Sequence, residues 1–380
     1  MHLKNTKLLL WSALLFLLSC SNPVNKIFGK RTAHEVYADK VDNSPEGKQW
    51  ITVSEQVLHS PYTIQLPYRH TGRFPADKLR AFALQFTAKQ GEKIIVDVTQ
   101  KNGAATVIYA DLFKLDGTRH LHILSADTTK SSLSFEADET ATYILRLQPA
   151  LYHTASYNLS LSVGPSLSFP VAGVKAKTGS FWGDGRDAGK RLHEGIDIFA
   201  PKLTPAIAAA DGYVTKVNEG GIGGKTVWMK VADKNIHLYY AHLDQQLVQD
   251  GQTVKKGDTV GLIGNTGNAT HTAAHLHFGI YNYEGAVDPW PYVNKTVKTA
   301  PAIAAKDITG YLQFKKPSAI PAGTKEFADP VLIPLAVNAD GYIAEFPDGK
   351  VIHAPFKSVK NMDKQKATLT TEKLKVTSGG

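Results

Sequence analysis

The sequence predicts an all-β protein with an N-terminal antiparallel β-sandwich, a central β-sheet domain and a small C-terminal β module. Short runs rich in β-branched and aromatic residues recur about every 8–12 residues, and turn signals such as Asp116-Gly117 separate them. Apolar residues alternate along several runs, as at Tyr157, Leu159 and Leu161. A chain of 380 residues is also long for one core, so two or three domains are expected.

The first twenty residues are typical of an exported lipoprotein. A short basic start precedes an apolar run of about eleven residues, which suits a signal-peptide core and is too short to cross a bilayer as a helix. The run ends in Leu17-Leu18-Ser19-Cys20, which resembles the bacterial lipobox, in which the cysteine is lipidated. We therefore expect a signal peptide over 1–20, a membrane anchor at Cys20 and a polar tether over 21–48.

The formal net charge of +9 suits an anionic partner. Nucleic acid is one such partner, and an anionic cell envelope is another. Because the leader predicts export, we expect contact with peptidoglycan and none with nucleic acid. Ser21 rather than Asp follows the cysteine, which by resemblance to Gram-negative lipoproteins favours a lipid anchor in the outer membrane, facing the periplasm.

The N-terminal sandwich is expected over 49–164. Its strand-like runs are KIIVDVTQ, ATVIYADLFKLDGT, SSLSFEAD, ATYILRLQ and SYNLSLSV. This pattern resembles the bacterial pre-peptidase β-sandwich modules.

The rest of the chain divides into three expected segments. Residues 165–295 are glycine-rich and hold nearly all the candidate chemistry, and 296–310 form a linker containing the Pro- and Ala-rich KTAPAIAAKD. Residues 311–380, with VLIPLAV, GYIAEF and GKVIHAPF, predict a small β domain. It faintly resembles a bacterial Src-homology-3-like wall-binding barrel, and a plain structural appendage is the alternative.

The tripeptide HLH occurs twice, at His120/His122 and at His275/His277. In both copies the histidines alternate with apolar residues, so on a strand the two histidines of a pair share one face. Local pattern alone therefore does not separate a metal site from two ordinary side chains. Arg119 beside the first pair would oppose a cation, and its domain offers no companion motif, so we expect that pair not to bind metal.

Companion residues distinguish the second copy. RLHEGIDIFAP contains His193 and Asp197, which share one face of an extended segment, and Gly195 argues against a helix. NIHLYYAHLD adds His242 at the end of another alternating run. A catalytic zinc usually takes three His or carboxylate ligands and keeps one position open for water, and this segment of the chain offers that set.

These motifs resemble the lysostaphin/LytM-type zinc metallopeptidases. In the family's order they are HEGID (193–197), YAHL (240–243) and GNTGNATHTAAHLHF (264–278), within a match over roughly residues 170–294. The resemblance implies a central β-sheet metallopeptidase domain over 165–295 with one Zn²⁺ ion. It also implies metal-assisted hydrolysis of amide bonds in the peptide stems or cross-links of peptidoglycan.

Roles follow from the resemblance residue by residue. His193, Asp197 and His277 would bind the metal, while His242 and His275 would be catalytic without binding it. One of these two would serve as general base and the other could stabilise the oxyanion. The sequence does not decide which histidine takes which role. The alternative function is a catalytically silent relative that activates wall amidases. Such relatives typically lack one or more metal ligands, and all three are present here.

The sequence evidence is weaker for the other candidate site residues. Tyr240 and His271 could line a substrate groove; the alternatives are core packing for Tyr240 and a solvated loop position for His271. We expect Glu194 to face solvent rather than act as a base. GGIGGKTVW is not a phosphate loop, because that frame requires glycine where Glu219 stands, and a β pattern follows it.

Overall fold

This computed structural model describes residues 31–100, 107–126, 132–173, 175–321 and 330–362, with the backbone alone at Asp187. Antiparallel sheets dominate the described part, so the predicted all-β class is confirmed. The predicted leader, the lipidation site Cys20 and the start of the tether lie outside the described residues. Among the residues that are described, no helix has the length and apolarity needed to cross a membrane.

The tether expected over 21–48 is wrong from residue 33 onward, because two helices form there: α1 (Ala33–Val41) and α2 (Pro45–Gln56). Thr32 caps α1 in a reciprocal capping box with Glu35. Trp50 of α2 is 1% exposed, and its indole N–H donates to the Pro149 carbonyl at 2.9 Å. The helices are therefore packed on the sandwich.

The N-terminal sandwich consists of two facing sheets whose inner side chains form one core. One sheet has the order β1-β3-β8-β5-β6, and the other contains β2-β9-β4-β7. The elements are a 3₁₀ turn Val57–His59, β1 Tyr62–Thr63, β2 Tyr68–Phe74, β3 Phe82–Ala88, β4 Glu92–Gln100, β5 Ile108–Asp116, β6 Arg119–Ser125, β7 Ser132–Glu136, β8 Ala141–Pro149 and β9 Ala155–Pro165.

The central domain is built on a ten-stranded antiparallel sheet with the order β10-β13-β20-β17-β16-β15-β18, extended by β14, β19 and β21, and β11 and β12 form a separate two-stranded sheet. Its elements are β10 Lys177–Ser180, β11 Gly185–Arg186, a 3₁₀ turn Asp187–Gly189, β12 Arg191–Leu192, β13 Ile196–Phe199, β14 Pro205–Ile207, β15 Gly212–Asn218, β16 Lys225–Val231, β17 His237–Gln246, β18 Thr253–Val254, β19 Thr259–Ile263, a 3₁₀ turn Gly267–Ala269, β20 His275–Asn282, β21 Gly285–Val287 and α3 Trp290–Val293.

The C-terminal strands do not stand apart as the expected domain over 311–380. Strand β23 pairs with β2 of the sandwich, with Gly72 opposite Ala336, so one nine-stranded sheet contains strands from both parts of the chain. A small core of their own, which includes Leu332, lies beside it. The elements are β22 Tyr311–Phe314, a 3₁₀ turn Pro317–Ala319, β23 Val331–Val337, β24 Gly341–Glu345, β25 Val351–Pro355 and β26 Val359–Met362.

The central domain is therefore an insertion between two segments that share a sheet. Its entry and exit lie side by side, because Val163 and Lys298 exchange two backbone hydrogen bonds of 3.0 and 2.7 Å. A buried ion pair also joins the flanking parts: Arg80 Nε donates to Glu345 Oε2 at 3.2 Å, and both side chains are nearly buried.

Removal of the Glu345 carboxylate should weaken the union of the N- and C-terminal segments. Glu345→Ala leaves the buried Arg80 guanidinium with one carboxylate fewer, so we expect a loss of about 1–3 kcal/mol in the free energy of unfolding. Denaturant unfolding followed by tryptophan fluorescence measures it. Glu55→Ala, which removes an exposed helical carboxylate, is the control and should change stability by less than about 0.5 kcal/mol. Equal effects of the two substitutions would contradict the role of the ion pair.

His70 should make the sandwich sensitive to acid. The side chain is fully buried between the hydroxyls of Tyr68 and Tyr157, and burial lowers its pKa to about 3. The unfolded chain binds a proton near pH 6.5 and the folded state does not, so stability falls as the pH drops from 6.5 towards 3. The expected slope from this group is about 1.4 kcal/mol per pH unit. His70→Gln should flatten the profile in that window, as measured by denaturant midpoints; parallel profiles would disprove the assignment.

Candidate metal centre

The pairing of β13 with β20 brings two polar side chains together on the face of the central sheet that lines a cleft. Asp197 lies directly opposite His277 in the antiparallel register. Their neighbours Ile196 and Phe278 point to the other face, where both are 0% exposed in the core. Polar and apolar side chains therefore alternate along β13 and β20, as predicted for strands.

Three donor atoms converge at this pair. His193 precedes β13, and its Nε2 lies 3.0 Å from Oδ1 of Asp197 and 3.0 Å from Nδ1 of His277. The third side of the triangle, from His277 Nδ1 to Asp197 Oδ1, is also 3.0 Å. Two imidazole nitrogens and one carboxylate oxygen so close together can contact one ion with bonds of about 2.0–2.2 Å. Among the described residues, this is the one cluster of three or more His, Cys, Asp or Glu with such spacing.

The surroundings of these side chains favour the protonation states in which they can bind a metal ion. His193 Nδ1 lies 2.9 Å from the Phe181 carbonyl; since a carbonyl only accepts, Nδ1 carries the proton and Nε2 is free to bind. Burial raises the pKa of Asp197, but the neighbouring His193 and His277 imidazoles outweigh burial and hold that pKa well below its usual range. Asp197 is therefore an anion at neutral pH.

His242 and His275 flank the triad without joining it. Their rings lie 5.0 Å apart, and both side chains are buried at the floor of the cleft. Nδ1 of His242 donates to the Thr266 carbonyl at 2.9 Å, and Nδ1 of His275 donates to the Ala273 carbonyl at 2.8 Å. In the neutral form of either ring, Nε2 therefore keeps a lone pair for proton transfer. Burial, with the neighbouring His275 and His277 rings, lowers the pKa of His242 to about 4, so this ring is neutral at pH 7.

Tyr240 belongs to the core, which corrects its candidacy as a groove residue. It is 0% exposed, and its hydroxyl accepts from the Ala209 N–H at 3.0 Å. Regular alternation would put Tyr240 and His242 on one face, but His242 has a φ of +60°, which breaks the alternation. Two backbone hydrogen bonds, with the Gly223 carbonyl at 2.8 Å and the Gly264 N–H at 3.1 Å, hold this conformation.

The triad lies in a cleft of about 680 Å³. His271 is exposed and lies outside the lining, so its candidacy as a groove residue is wrong too. Glu194 is exposed as expected, although it borders the cleft. Several residues that line the cleft were not predicted from the sequence: Ser180, Arg186, Leu192, Ile222, Tyr239 and Tyr281. The period-two rule could have found Tyr239, because it alternates with the buried Leu238 and Tyr240.

The earlier histidine pair has other partners. His120 packs against the ring of His59 with centroids 5.0 Å apart, and His122 lies 2.9 Å from the Ser125 hydroxyl. Neither belongs to a cluster of three metal-binding side chains within the described residues.

Residues 191–289 match the model of peptidase family M23. The peptidoglycan DD-endopeptidase ShyC of Vibrio cholerae is 35% identical over 120 residues, which are 32% of this chain and 25% of that protein. The L-Ala–D-Glu endopeptidase of Bacillus subtilis is 32% identical over 126 residues, which are 30% of this chain and 38% of that protein. The chain thus spans well under half the length of these curated relatives.

A solved structure is also similar to part of the chain. The catalytic domain of lysostaphin from Staphylococcus simulans is 30% identical, and the match covers 30% of this chain and 90% of that domain with a TM-score of 0.29.

Gly195 provides a test of the packing around His277. A Cβ at this position would lie 2.7 Å from Cε1 of His277 and 2.7 Å from the Phe278 carbonyl oxygen. We expect Gly195→Ala to destabilise the central domain by about 1–3 kcal/mol and to displace the His277 ring. Denaturant unfolding and the NMR shifts of the ring measure these effects. Gly185→Ala, where the nearest atom is 4.0 Å away, should have little effect; equal losses in both variants would contradict the predicted clash.

Proposed function

Because this chain belongs to peptidase family M23 through its central domain, we propose that it is a zinc-dependent endopeptidase. Its proposed substrate is the peptide portion of bacterial peptidoglycan, in the stems or the cross-links between them. The names of the relatives from Vibrio cholerae and Bacillus subtilis support this substrate class.

One observation carries the proposal: the intact set of His193, Asp197 and His277, with mutual donor distances of 3.0 Å, beside two histidines that each keep a free Nε2. Members that only bind wall components have no need of all five groups. A zinc ion held by the three ligands would supply Lewis acidity, which polarises a carbonyl and lowers the pKa of water towards 7.

The chain's own residues would handle the protons. The neutral Nε2 of His242 or His275 would accept a proton from the attacking water and later return it to the leaving amine. The other ring, which donates from Nε2 when it is protonated, would stabilise the negative oxygen that develops on the scissile carbonyl. The carbonyls of Thr266 and Ala273 fix both rings through Nδ1, so neither must reorient during the reaction.

We further propose that the protein acts in the cell envelope. The lipobox-like segment ending at Cys20 supports a lipid anchor. The positive net charge suits an anionic wall, although it does not select a bond. An outer-membrane anchor facing the periplasm would place the cleft beside its substrate.

Digestion of purified peptidoglycan tests the activity. The purified protein should release soluble muropeptides and deplete cross-linked dimers or shorten stems, and mass spectrometry identifies the bond. A zinc-selective chelator should abolish the release, and added zinc should restore it. His277→Ala should lower the rate by at least about 1,000-fold, because it removes one of the three ligands.

His271→Ala is the matched control, since this exposed histidine lies a few residues before β20 and outside the cleft. It should retain the wild-type rate. Peptidoglycan that remains intact under every condition would contradict the proposed endopeptidase activity. Stimulation of a separate wall amidase in the same assay, with His277→Ala as effective as wild type, would instead favour the silent regulator.

A further inference from the structure

Arg186 is a charged side chain of the cleft wall that the proposed mechanism does not use. It lies on the hairpin of β11 and β12, opposite Arg191 in the register. Its NH2 group donates to Oδ2 of Asp197 at 2.8 Å and to the Ser180 hydroxyl at 2.6 Å. The Arg186 side chain is 29% exposed and that of Asp197 is 13% exposed, so the contact is partly screened from water.

Because of this contact, the two carboxylate oxygens of Asp197 have different partners. Oδ1 lies 3.0 Å from His193 Nε2 and from His277 Nδ1, while Oδ2 accepts from Arg186. A carboxylate can otherwise rotate and present either oxygen, or both, to a cation. With Oδ2 engaged, rotation about the Cβ–Cγ bond would break a charge-assisted hydrogen bond. The carboxylate is therefore held with one oxygen towards the two imidazoles.

The same network reaches the second ligand. The Ser180 hydroxyl donates its one hydrogen to Asp184 Oδ2 at 2.8 Å, so it can only accept from Arg186 and from Nδ1 of His193. Nδ1 of His193 is 3.2 Å away, and its hydrogen is shared with the nearer Phe181 carbonyl at 2.9 Å. Asp184 is fixed in turn by the Phe181 N–H at 2.8 Å. Arg186 and Ser180 thus connect the outer sides of Asp197 and His193.

We propose that Arg186 is a positioning residue that orients Asp197 for the metal, with Ser180 extending the same support to His193. This inference rests on the proposed function, because it assumes that the triad binds zinc. It assigns Arg186 neither to the reacting atoms nor to the substrate. Outer-shell partners of metal ligands typically change metal affinity by about 10–100-fold.

Charge and orientation make opposite predictions for the removal of Arg186. A guanidinium near the site repels a divalent cation, so if its charge were all that mattered, Arg186→Gln would bind zinc more tightly. If Arg186 orients Asp197, the same substitution loosens the carboxylate and zinc binds more weakly. The direction of the change therefore distinguishes a positioning role from a purely electrostatic one.

The experiment measures the zinc dissociation constant of the full chain by competition with a chromophoric chelator. We expect Arg186→Gln to weaken zinc binding by about 10–100-fold and Ser180→Ala by a smaller factor. Arg186→Lys, which keeps one charged donor but loses the planar fork, should recover part of the affinity. Lys190→Gln removes a positive charge from the exposed tip of the same hairpin and should leave the constant within about twofold.

Unchanged or tighter zinc binding in Arg186→Gln would overturn the positioning role, as would a loss of equal size in Lys190→Gln. If Arg186→Gln fails to fold, as judged by circular dichroism, Arg186→Lys and Ser180→Ala decide the question through the same constant. A wild-type chain that binds zinc but hydrolyses nothing would overturn the proposed activity and leave the role of Arg186 supported or refuted by its own measurement. A wild-type chain that binds no zinc would overturn both.

Discussion

The antiparallel pairing of β13 with β20 is the constraint on which the rest of the site depends. It sets Asp197 opposite His277 and thereby fixes two of the three converging donors through backbone hydrogen bonds. The same register sends Ile196 and Phe278 into the core on the other face, so a slip of one residue would bury the carboxylate and expose the apolar set. Packing of the core and assembly of the donor triad are therefore one event.

Burial then decides the protonation of the site. The carboxylate of Asp197 is ionised because the neighbouring His193 and His277 imidazoles offset the cost of removing it from water. The neighbouring His242 is neutral because burial and two further rings oppose a positive charge there. Carbonyl acceptors at Nδ1 select the tautomer that leaves Nε2 free. An anionic ligand and a neutral base thus coexist within one cleft.

Much of this could be predicted from sequence, because strand alternation is a local property. The period of two correctly placed His275 and His277 on one face of a strand, which borders the cleft, and the resemblance of the ordered motifs to a known family grouped His277 with His193 and Asp197. Alternation failed at Tyr240, because the left-handed backbone of His242 reverses the facing of side chains along β17. Arg186 could not be found this way, since its contact with Asp197 depends on how a hairpin folds back over the sheet.

The helices were missed for a different reason. Thr32 and Glu35 form a capping-box pattern in the sequence, and Ser44 with Pro45 marks a second helix start. These signals were outweighed by the lack of a sustained apolar period, because the helices bury few side chains, Trp50 among them. The union of β23 with β2 has no local signal, since it joins residues more than 250 positions apart.

That union has a consequence for the order of folding. Until β23 has been synthesised and has paired with β2, the edge of β2 is open and its backbone groups are unpaired. The central domain, whose two ends meet at Val163 and Lys298, contains all of its own sheet partners and can close earlier. Because the chain is synthesised from its N-terminus, the nine-stranded sheet is thus completed after the central domain that is inserted into it. The window before completion is when the chain is most exposed to edge-to-edge association with another copy.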